Sequence, residues 1–416
     1  MSAIYISGGK PLNGSVRVQG AKNSVLPILA ATILSGEPCV IRNCPNLLDV
    51  GTSVRILQHL GCKAAYKDGV VTVDTAGMNR YDVPEDLMRE MRSSVVFLGA
   101  ILSRTGEAVM SYPGGCDLGS RPIDLHISSL KQMGADIREE GGFLICKAHR
   151  FTGCDICLPI PSVGATENIM LAAALARRTT RIFNAAHEPE IGDLQAFLNA
   201  MGGKVSGAGS STVVIEGVRR LNGTEHQVIP DRIAAATLLT AVASAGGEIE
   251  LTKARPDDLA ILLSVLNEAG CTIQTDGTVI HAKRDGQLKP MGRVQTMPHP
   301  GFPTDAQALL MAVACRAEGV TVFCETIFDG RYRHVGELLR MGADIQVVER
   351  VAVVKGVKRL TGARVCSTDL RGGAALAVAA LAAEGETALS GLNHIDRGYE
   401  RFEENLASLG ADIKRK

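Results

Sequence analysis

The sequence predicts an α/β protein built as two inside-out, barrel-like domains of three repeats each, with buried helices and outer sheets. Three observations carry that reading. A phrase ending in glycine recurs six times along the 416 residues. Six helical stretches are apolar almost all round, so each belongs in an interior. Short β-branched runs with hairpin signals bracket every one of them.

The phrase reads LQHLGC (57–62), LKQMGAD (130–136), LNAMGGK (198–204), LNEAGCT (266–272), LLRMGAD (338–344) and LASLGAD (406–412). Its glycines fall at 61, 134, 202, 270, 342 and 410, with spacings of 73, 68, 68, 72 and 68 residues. A recurrence at nearly fixed period marks a repeat architecture. Each repeat has the same order: a β-branched run, an apolar helix, a second β run, an amphipathic helix and a closing pair of strands. The glycine suits the C-terminus of the amphipathic helix, where a left-handed residue costs glycine least. The Asp-Gly of GCKAAYKDGVVTVD signals the hairpin that follows.

The apolar helices are, in order, KNSVLPILAATIL, MRSSVVFLGAIL, GATENIMLAAALA, PDRIAAATLLTAVAS, PTDAQALLMAVAC and TDLRGGAALAVAALAA. Six helices buried on every side, in a chain too long for one compact core, imply two domains of three repeats. The polar stretch EGVRRLNGTEHQ (216–227) reads as the linker between them.

Composition narrows the function. Formal net charge is zero, tryptophan is absent and aromatics make up 4%, which argues against nucleic-acid or membrane-surface partners. No apolar run is long enough to span a bilayer, and MSAIYISGGKPLNG lacks the features of a signal peptide. Eleven cysteines without a framework read as reduced thiols, so the expected location is cytoplasmic. Cys154 and Cys157 form a C-x-x-C, but no second pair stands at zinc-site spacing and CDICLPI is strand-like.

The starts of the apolar helices gather polar residues: Lys22 and Asn23; Arg92; Ser162 and Thr166; Asp231 and Arg232; Asp305; Asp369 and Arg371. Helix N-termini carry free N–H groups and partial positive charge, so they suit anions. Ser, Thr and Asp there read as N-caps, Thr166 and Thr304 above all. Lys22, Arg92 and Arg371 oppose the dipole and call for an anion, either a neighbouring carboxylate or a ligand. Two domains facing each other with these ends inward would make the interdomain cleft the active site, focused on a polyanion. One further segment, SYPGGCDLGSRPIDLH (111–126), places Cys116 in a glycine-rich loop with Arg121 five residues on. Glycines suit a mobile lid, and the nearby cation favours the thiolate.

These motifs together resemble the enolpyruvyl transferase family, and within it the branch that acts on UDP-N-acetylglucosamine. GAKN (20–23), PGGCDLGSRPIDLH (113–126), SVGAT (162–166), EPEI (188–191), PDRI (230–233), PHPGFPTD (298–305), TDLR (368–371) and HIDRGYE (394–400) run in the family's order from end to end. The resemblance implies domains of 22–229 and of 1–21 plus 230–416, the N-terminal strand crossing to complete the second. It implies transfer of the enolpyruvyl group of phosphoenolpyruvate (PEP) to the 3′-hydroxyl of UDP-N-acetylglucosamine with release of phosphate. This is the first committed step of peptidoglycan precursor synthesis. No metal, cofactor or obligate protein partner is implied.

By the same resemblance, Cys116, Asp305, Lys22 and Arg397 are the catalytic set. Cys116 donates a proton to PEP or adds to it, and is the site alkylated by fosfomycin. Asp305 takes the proton of the sugar hydroxyl. PEP carries a phosphate and a carboxylate on three carbons, so its pocket needs cations: Lys22, Arg121, Arg371 and Arg397, with Arg331 in reserve and Asn23 beside them. The nucleotide sugar falls to Asn23, Arg92, Arg121, Pro122, Ile123, Asp124, Leu125, Ser162, Val163, Gly164, Asp305 and Ile327. His126, His299 and His394 stay outside the catalytic set, as hydrogen-bonded structural groups.

Three departures from the family pattern stand out. Ile160-Pro161 stands where many relatives place lysine and Leu48 where some do, which removes cations from the nucleotide side. The Gly372-Gly373 pair is expected to loosen the helix after Arg371. Three other readings compete: the sister enzyme acting on shikimate 3-phosphate, which lacks this cysteine loop; a silent UDP-sugar binder, against which Cys116, Asp305, Lys22 and Arg397 are all present; and a redundant second isoenzyme with the same activity.

Overall fold

The computed structural model describes residues 2–112 and 123–416, with Arg92 described by its backbone alone. The six apolar stretches form helices α1 (Lys22–Ala31), α2 (Phe97–Thr105), α3 (Val163–Ala173), α4 (Arg232–Ala245), α5 (Thr304–Ala314) and α6 (Leu370–Leu381). Their burial follows from their lack of a polar face. Every residue of α4 except Ala245 is buried, as is every residue of α6 after Leu370.

The amphipathic helices end alike. Leu48–His59, Asp124–Gln132, Pro189–Ala200, Ala260–Glu268, Val335–Arg340 and Phe402–Ser408 each stop two residues before the recurring glycine. All six glycines have φ between 87° and 104°. The N–H of the next residue then reaches back to the carbonyl of the leucine that opens the phrase, at 2.9–3.1 Å in all six repeats, as in Cys62 to Leu57 and Ala411 to Leu406. The recurring phrase is therefore a helix-ending Schellman motif, with its leucine buried and its glycine left-handed.

Among the described residues the strands make six four-stranded sheets and one short two-stranded pair, Leu360–Thr361 with Ala383–Glu384. Typically the strand entering a buried helix lies parallel to the strand leaving it, and a hairpin adds two antiparallel strands. Arg293–Gln295 and Val320–Cys324 flank α5 in this way, followed by Asp344–Val348 and Val351–Lys355. At two places the entry strands are exchanged. Leu12–Arg17 precedes α1 but pairs with Gly247–Thr252, the strand leaving α4. Glu225–Gln227 precedes α4 but pairs with Cys39–Arg42, the strand leaving α1. Ile4–Ser7 fills the place between Glu386–Ser390 and Asp412–Arg415 in the last sheet.

This exchange defines two compact units. Of the described residues, one holds 20–112 and 123–229 with α1–α3; the other holds those up to Gln19 and from Pro230, with α4–α6. Each has its own apolar core. In the second unit α4, α5 and α6 pack on one another. The stretch 216–227 is not the linker: Thr212–Glu216 and Glu225–Gln227 are both strands of the first unit, and the chain crosses between Ile229 and Pro230. Backbone pairing held the polar segment where its side chains alone gave no sign of it.

Candidate active site

In the unit that holds α4–α6, Asp305 lies in the first turn of α5 and takes two guanidinium groups on one oxygen. Arg331 Nη2 donates to Oδ1 at 2.9 Å and Arg371 Nε at 3.1 Å. Both arginine side chains are buried, 5% and 6% exposed, while the carboxylate keeps 24%. Burial alone would raise the pKa of Asp305. The charges of Arg371, Arg331 and Arg232 outweigh it and hold the carboxyl well below the usual carboxylate range.

The other polar groups fix these arginines. Asp369 caps α6, accepting from the N–H groups of Arg371 and Gly372 at 3.0 Å each. Arg371 Nη1 donates to Tyr399 Oη at 3.3 Å, and its guanidinium stands 5.7 Å from the Tyr399 ring centroid. Arg397 lies two residues before that tyrosine, at the end of the short turn Ile395–Arg397. Gly372 and Gly373 do not loosen the helix start. A Cβ on Gly372 would lie 2.7 Å from Asp369 Oδ2 and 2.9 Å from His334 Cβ, and one on Gly373 would lie 2.3 Å from Ser367 Oγ. The pair lets three segments close on one another around Arg371.

Thr304 is not an N-cap. The cap position is Pro303, and the Thr304 hydroxyl donates to Glu325 Oε2 at 2.9 Å while accepting from Arg331 Nε at 3.1 Å. Glu325, buried, also accepts from Thr296 Oγ1 (3.0 Å), Ile327 N (2.8 Å) and Phe328 N (3.0 Å). Nothing in the sequence flagged this carboxylate, which holds the loop bearing Ile327 and Arg331.

The unit that holds α1–α3 carries a second cluster. Lys22 opens α1, and its ammonium pairs with Asp49 at 2.7 Å. Asp49 is buried in the first turn of Leu48–His59. A carboxylate thus answers the dipole conflict at Lys22, as Asp305 does at Arg371. Asn23 is half-buried beside it, and Ser24 behind donates to Asp193. Asp193 also takes His226 Nε2 at 2.8 Å and Ile229 N at 3.2 Å. The start of α1 is thereby tied to the segment just before the crossing.

Ile123 is buried, Asp124 opens its helix in an exposed position and Leu125 is half-buried. Ser162 caps α3, accepting from Ala165 N at 3.4 Å, with Val163 and Gly164 half-buried after it. Thr166 is interior to α3, not a cap, and accepts from Ala186 N at 3.1 Å. A Cβ on Gly164 would stand 3.1 Å from His126 Cε1. His126 itself accepts from Asn168 Nδ2 at 2.9 Å, and burial lowers its pKa to about 4, so it serves as a neutral structural group. The EPEI motif opens Pro189–Ala200, and Glu190 and Glu188 add to burial in raising the pKa of Glu167. Leu48 and Ile160 are exposed, at 53% and 61%. Cys116, Arg121 and Pro122 lie outside the described residues, as does the Arg92 side chain. No cluster of His, Cys, Asp and Glu among the described residues has the form of a metal site.

A repeat fold with cations held at buried helix starts by carboxylates is the frame of a class of group-transfer enzymes that handle anionic substrates. The chain belongs to the EPSP synthase (3-phosphoshikimate 1-carboxyvinyltransferase) family, whose profile it matches over residues 6–406. It is 51% identical over 415 residues to UDP-N-acetylglucosamine 1-carboxyvinyltransferase 2 of Caldanaerobacter subterraneus subsp. tengcongensis, covering 100% of both chains. It is 46% identical to UDP-N-acetylglucosamine 1-carboxyvinyltransferase 1 of Carboxydothermus hydrogenoformans, covering 100% of this chain and 98% of that one. Among solved structures, the enolpyruvyl transferase NikO from Streptomyces tendae superposes with a TM-score of 0.90 at 27% identity, over 100% of this chain and 99% of that one. EPSP synthase from Acinetobacter baumannii shares the fold, with a TM-score of 0.76 at 20% identity over 100% of both chains.

Proposed function

We propose that this chain transfers the enolpyruvyl group of PEP to the 3′-hydroxyl of UDP-N-acetylglucosamine and releases phosphate, supplying peptidoglycan precursors in the cytoplasm. The observation that carries the reading is the full-length identity of 51% to a protein named for that activity. No helix among the described residues is long and apolar enough to cross a membrane.

The reaction adds the sugar hydroxyl across the PEP double bond and then eliminates phosphate. Protonation at the methylene carbon makes the neighbouring carbon electrophilic; Cys116 is the proposed donor. The hydroxyl oxygen adds to that carbon, its proton passing to Asp305. The Cys116 thiolate takes a proton back from the new methyl group as phosphate departs, which restores the double bond, and the proton held by Asp305 leaves with the phosphate. Lys22, Arg121, Arg331, Arg371 and Arg397 are the proposed partners of the PEP phosphate and carboxylate, arginine giving bidentate geometry. Preorganised charge of this kind is typically the largest catalytic contribution. In the free protein Asp305 occupies two of those arginines. An arriving anion competes for them, and as it takes them over the carboxylate becomes a stronger base.

Phosphate release from PEP, measured in parallel with UDP-N-acetylglucosamine and with shikimate 3-phosphate, tests the proposal. Release with the nucleotide sugar alone is expected. Release only with shikimate 3-phosphate would move the chain to the sister activity, and release with neither would leave a silent binder.

A further inference from the structure

We propose that Glu325 is a positioning residue of the active site: through the Thr304 hydroxyl it fixes Arg331 against Asp305, and through two backbone N–H groups it fixes the loop that carries Ile327. The inference rests on the proposed enolpyruvyl transfer for its kinetic consequences, though not for its geometry.

Four donors converge on this one buried side chain. Oε1 takes Thr296 Oγ1, Ile327 N and Phe328 N at 3.0, 2.8 and 3.0 Å, and Oε2 takes Thr304 Oγ1 at 2.9 Å. A hydroxyl has one hydrogen. Once Thr304 spends it on Glu325, only lone pairs remain to face Arg331 Nε, 3.1 Å away. The chain of donors then has a single direction. Arg331 donates to Thr304 and to Asp305, and Thr304 donates to Glu325. Thr304 and Asp305 are adjacent at the start of α5, and Arg331 lies on the loop that Glu325 closes. Thr326 reinforces that closure, its N–H donating to Thr296 Oγ1 at 2.8 Å.

Because every partner donates, glutamine is not a conservative replacement here. Its amide would turn an N–H donor toward either Thr304 or the Ile327 and Phe328 N–H groups, whichever way it is set. A buried donor facing a donor is left unsatisfied. Glu325→Gln therefore disturbs one limb of the network or the other, while Thr304→Val cuts only the limb to Arg331 and Thr304→Ser preserves it.

The test compares Thr304→Val, Thr304→Ser and Glu325→Gln in the full chain, by steady-state kinetics and by the Arg331 Nε–H resonance, assigned through its loss in Arg331→Lys. Thr304→Val should raise KM for PEP about tenfold, the worth of one charge-assisted hydrogen bond, with KM for the nucleotide sugar unchanged. Thr304→Ser should restore the wild-type value, and Glu325→Gln should raise KM for PEP or for the nucleotide sugar, according to the limb its amide N–H faces. The Nε–H signal should be protected from exchange in wild type and Thr304→Ser and lost in Thr304→Val. Unchanged KM values in Thr304→Val and Glu325→Gln, or a protected Nε–H in Thr304→Val, would overturn the assignment. A wild type without transferase activity but with the expected resonances would sink the proposed function and leave the positioning of Arg331 standing.

Discussion

Replacing Asp305 by asparagine removes the anion shared by two buried guanidinium groups, and the consequences can be sized. Arg331 and Arg371 are 5% and 6% exposed and donate to the same oxygen at 2.9 and 3.1 Å. Removing one partner of a buried ion pair costs about 3–5 kcal/mol. Asp305 keeps 24% exposure, so water screens part of the loss and about 3 kcal/mol is the working figure. Turnover should fall by about 10²–10⁴-fold, the usual range for a lost general base. Anion affinity should move the other way, since the arginines no longer have an internal partner. Inorganic phosphate at a hundred times its dissociation constant returns about 2.7 kcal/mol, close to the whole deficit. Urea unfolding of both proteins with and without phosphate is the assay. The variant should unfold at lower urea without phosphate and recover with it, while the wild type should gain less. Equal gains from phosphate in the two proteins would refute the view that Asp305 acts as the arginines' resident counter-ion.

Acid stability should reflect His126 and His334, whose pKa values burial lowers to about 4. Between the unfolded value of about 6.5 and that lower value the unfolded chain binds protons the folded one refuses, so the full contribution is present above pH 6.5 and falls as pH drops toward 4. The slope is up to about 1.4 kcal/mol per pH unit for each histidine; urea midpoints at pH 7.5, 6 and 5 should fall in order, and less steeply in His126→Asn. Asp193→Asn turns an amide donor toward Ser24, His226 or Ile229 and should cost about 1–3 kcal/mol, with a lower denaturation midpoint as the readout. Gly372→Ala forces a Cβ to within 2.7 Å of Asp369 and should cost about 1–3 kcal/mol with a raised KM for PEP, whereas Gly336→Ala, where space is open, should cost far less.

The repeat was legible because its signals are local. Leu57 and Gly61 belong to one helix ending, and the same ending recurs wherever the phrase does. The buried helices were legible from composition alone, since a stretch such as AALAVAALAA has no polar face to turn outward. What escaped the reading is polar pairing between distant segments. Asp49 beside Lys22, Asp193 beside Ser24 and Glu325 beside Thr304 join helices and loops that no periodicity connects. The exchanged entry strands escaped for the same reason, because Glu225–Gln227 gains its partner from residues 39–42. Gly372 and Gly373 read as weak points in a helix and are sites of close approach. The one signal that pointed to the clusters was electrostatic: cations at helix starts, which demanded anions nearby.

The most direct test of the account is the structure of the product formed from PEP and UDP-N-acetylglucosamine, read by proton NMR. The account predicts a nucleotide sugar with an enolpyruvyl ether at the 3′-oxygen, formed in step with free phosphate and about 10²–10⁴-fold more slowly with Asp305→Asn. Phosphate released with the sugar left unmodified, or an ether at another hydroxyl, would contradict it.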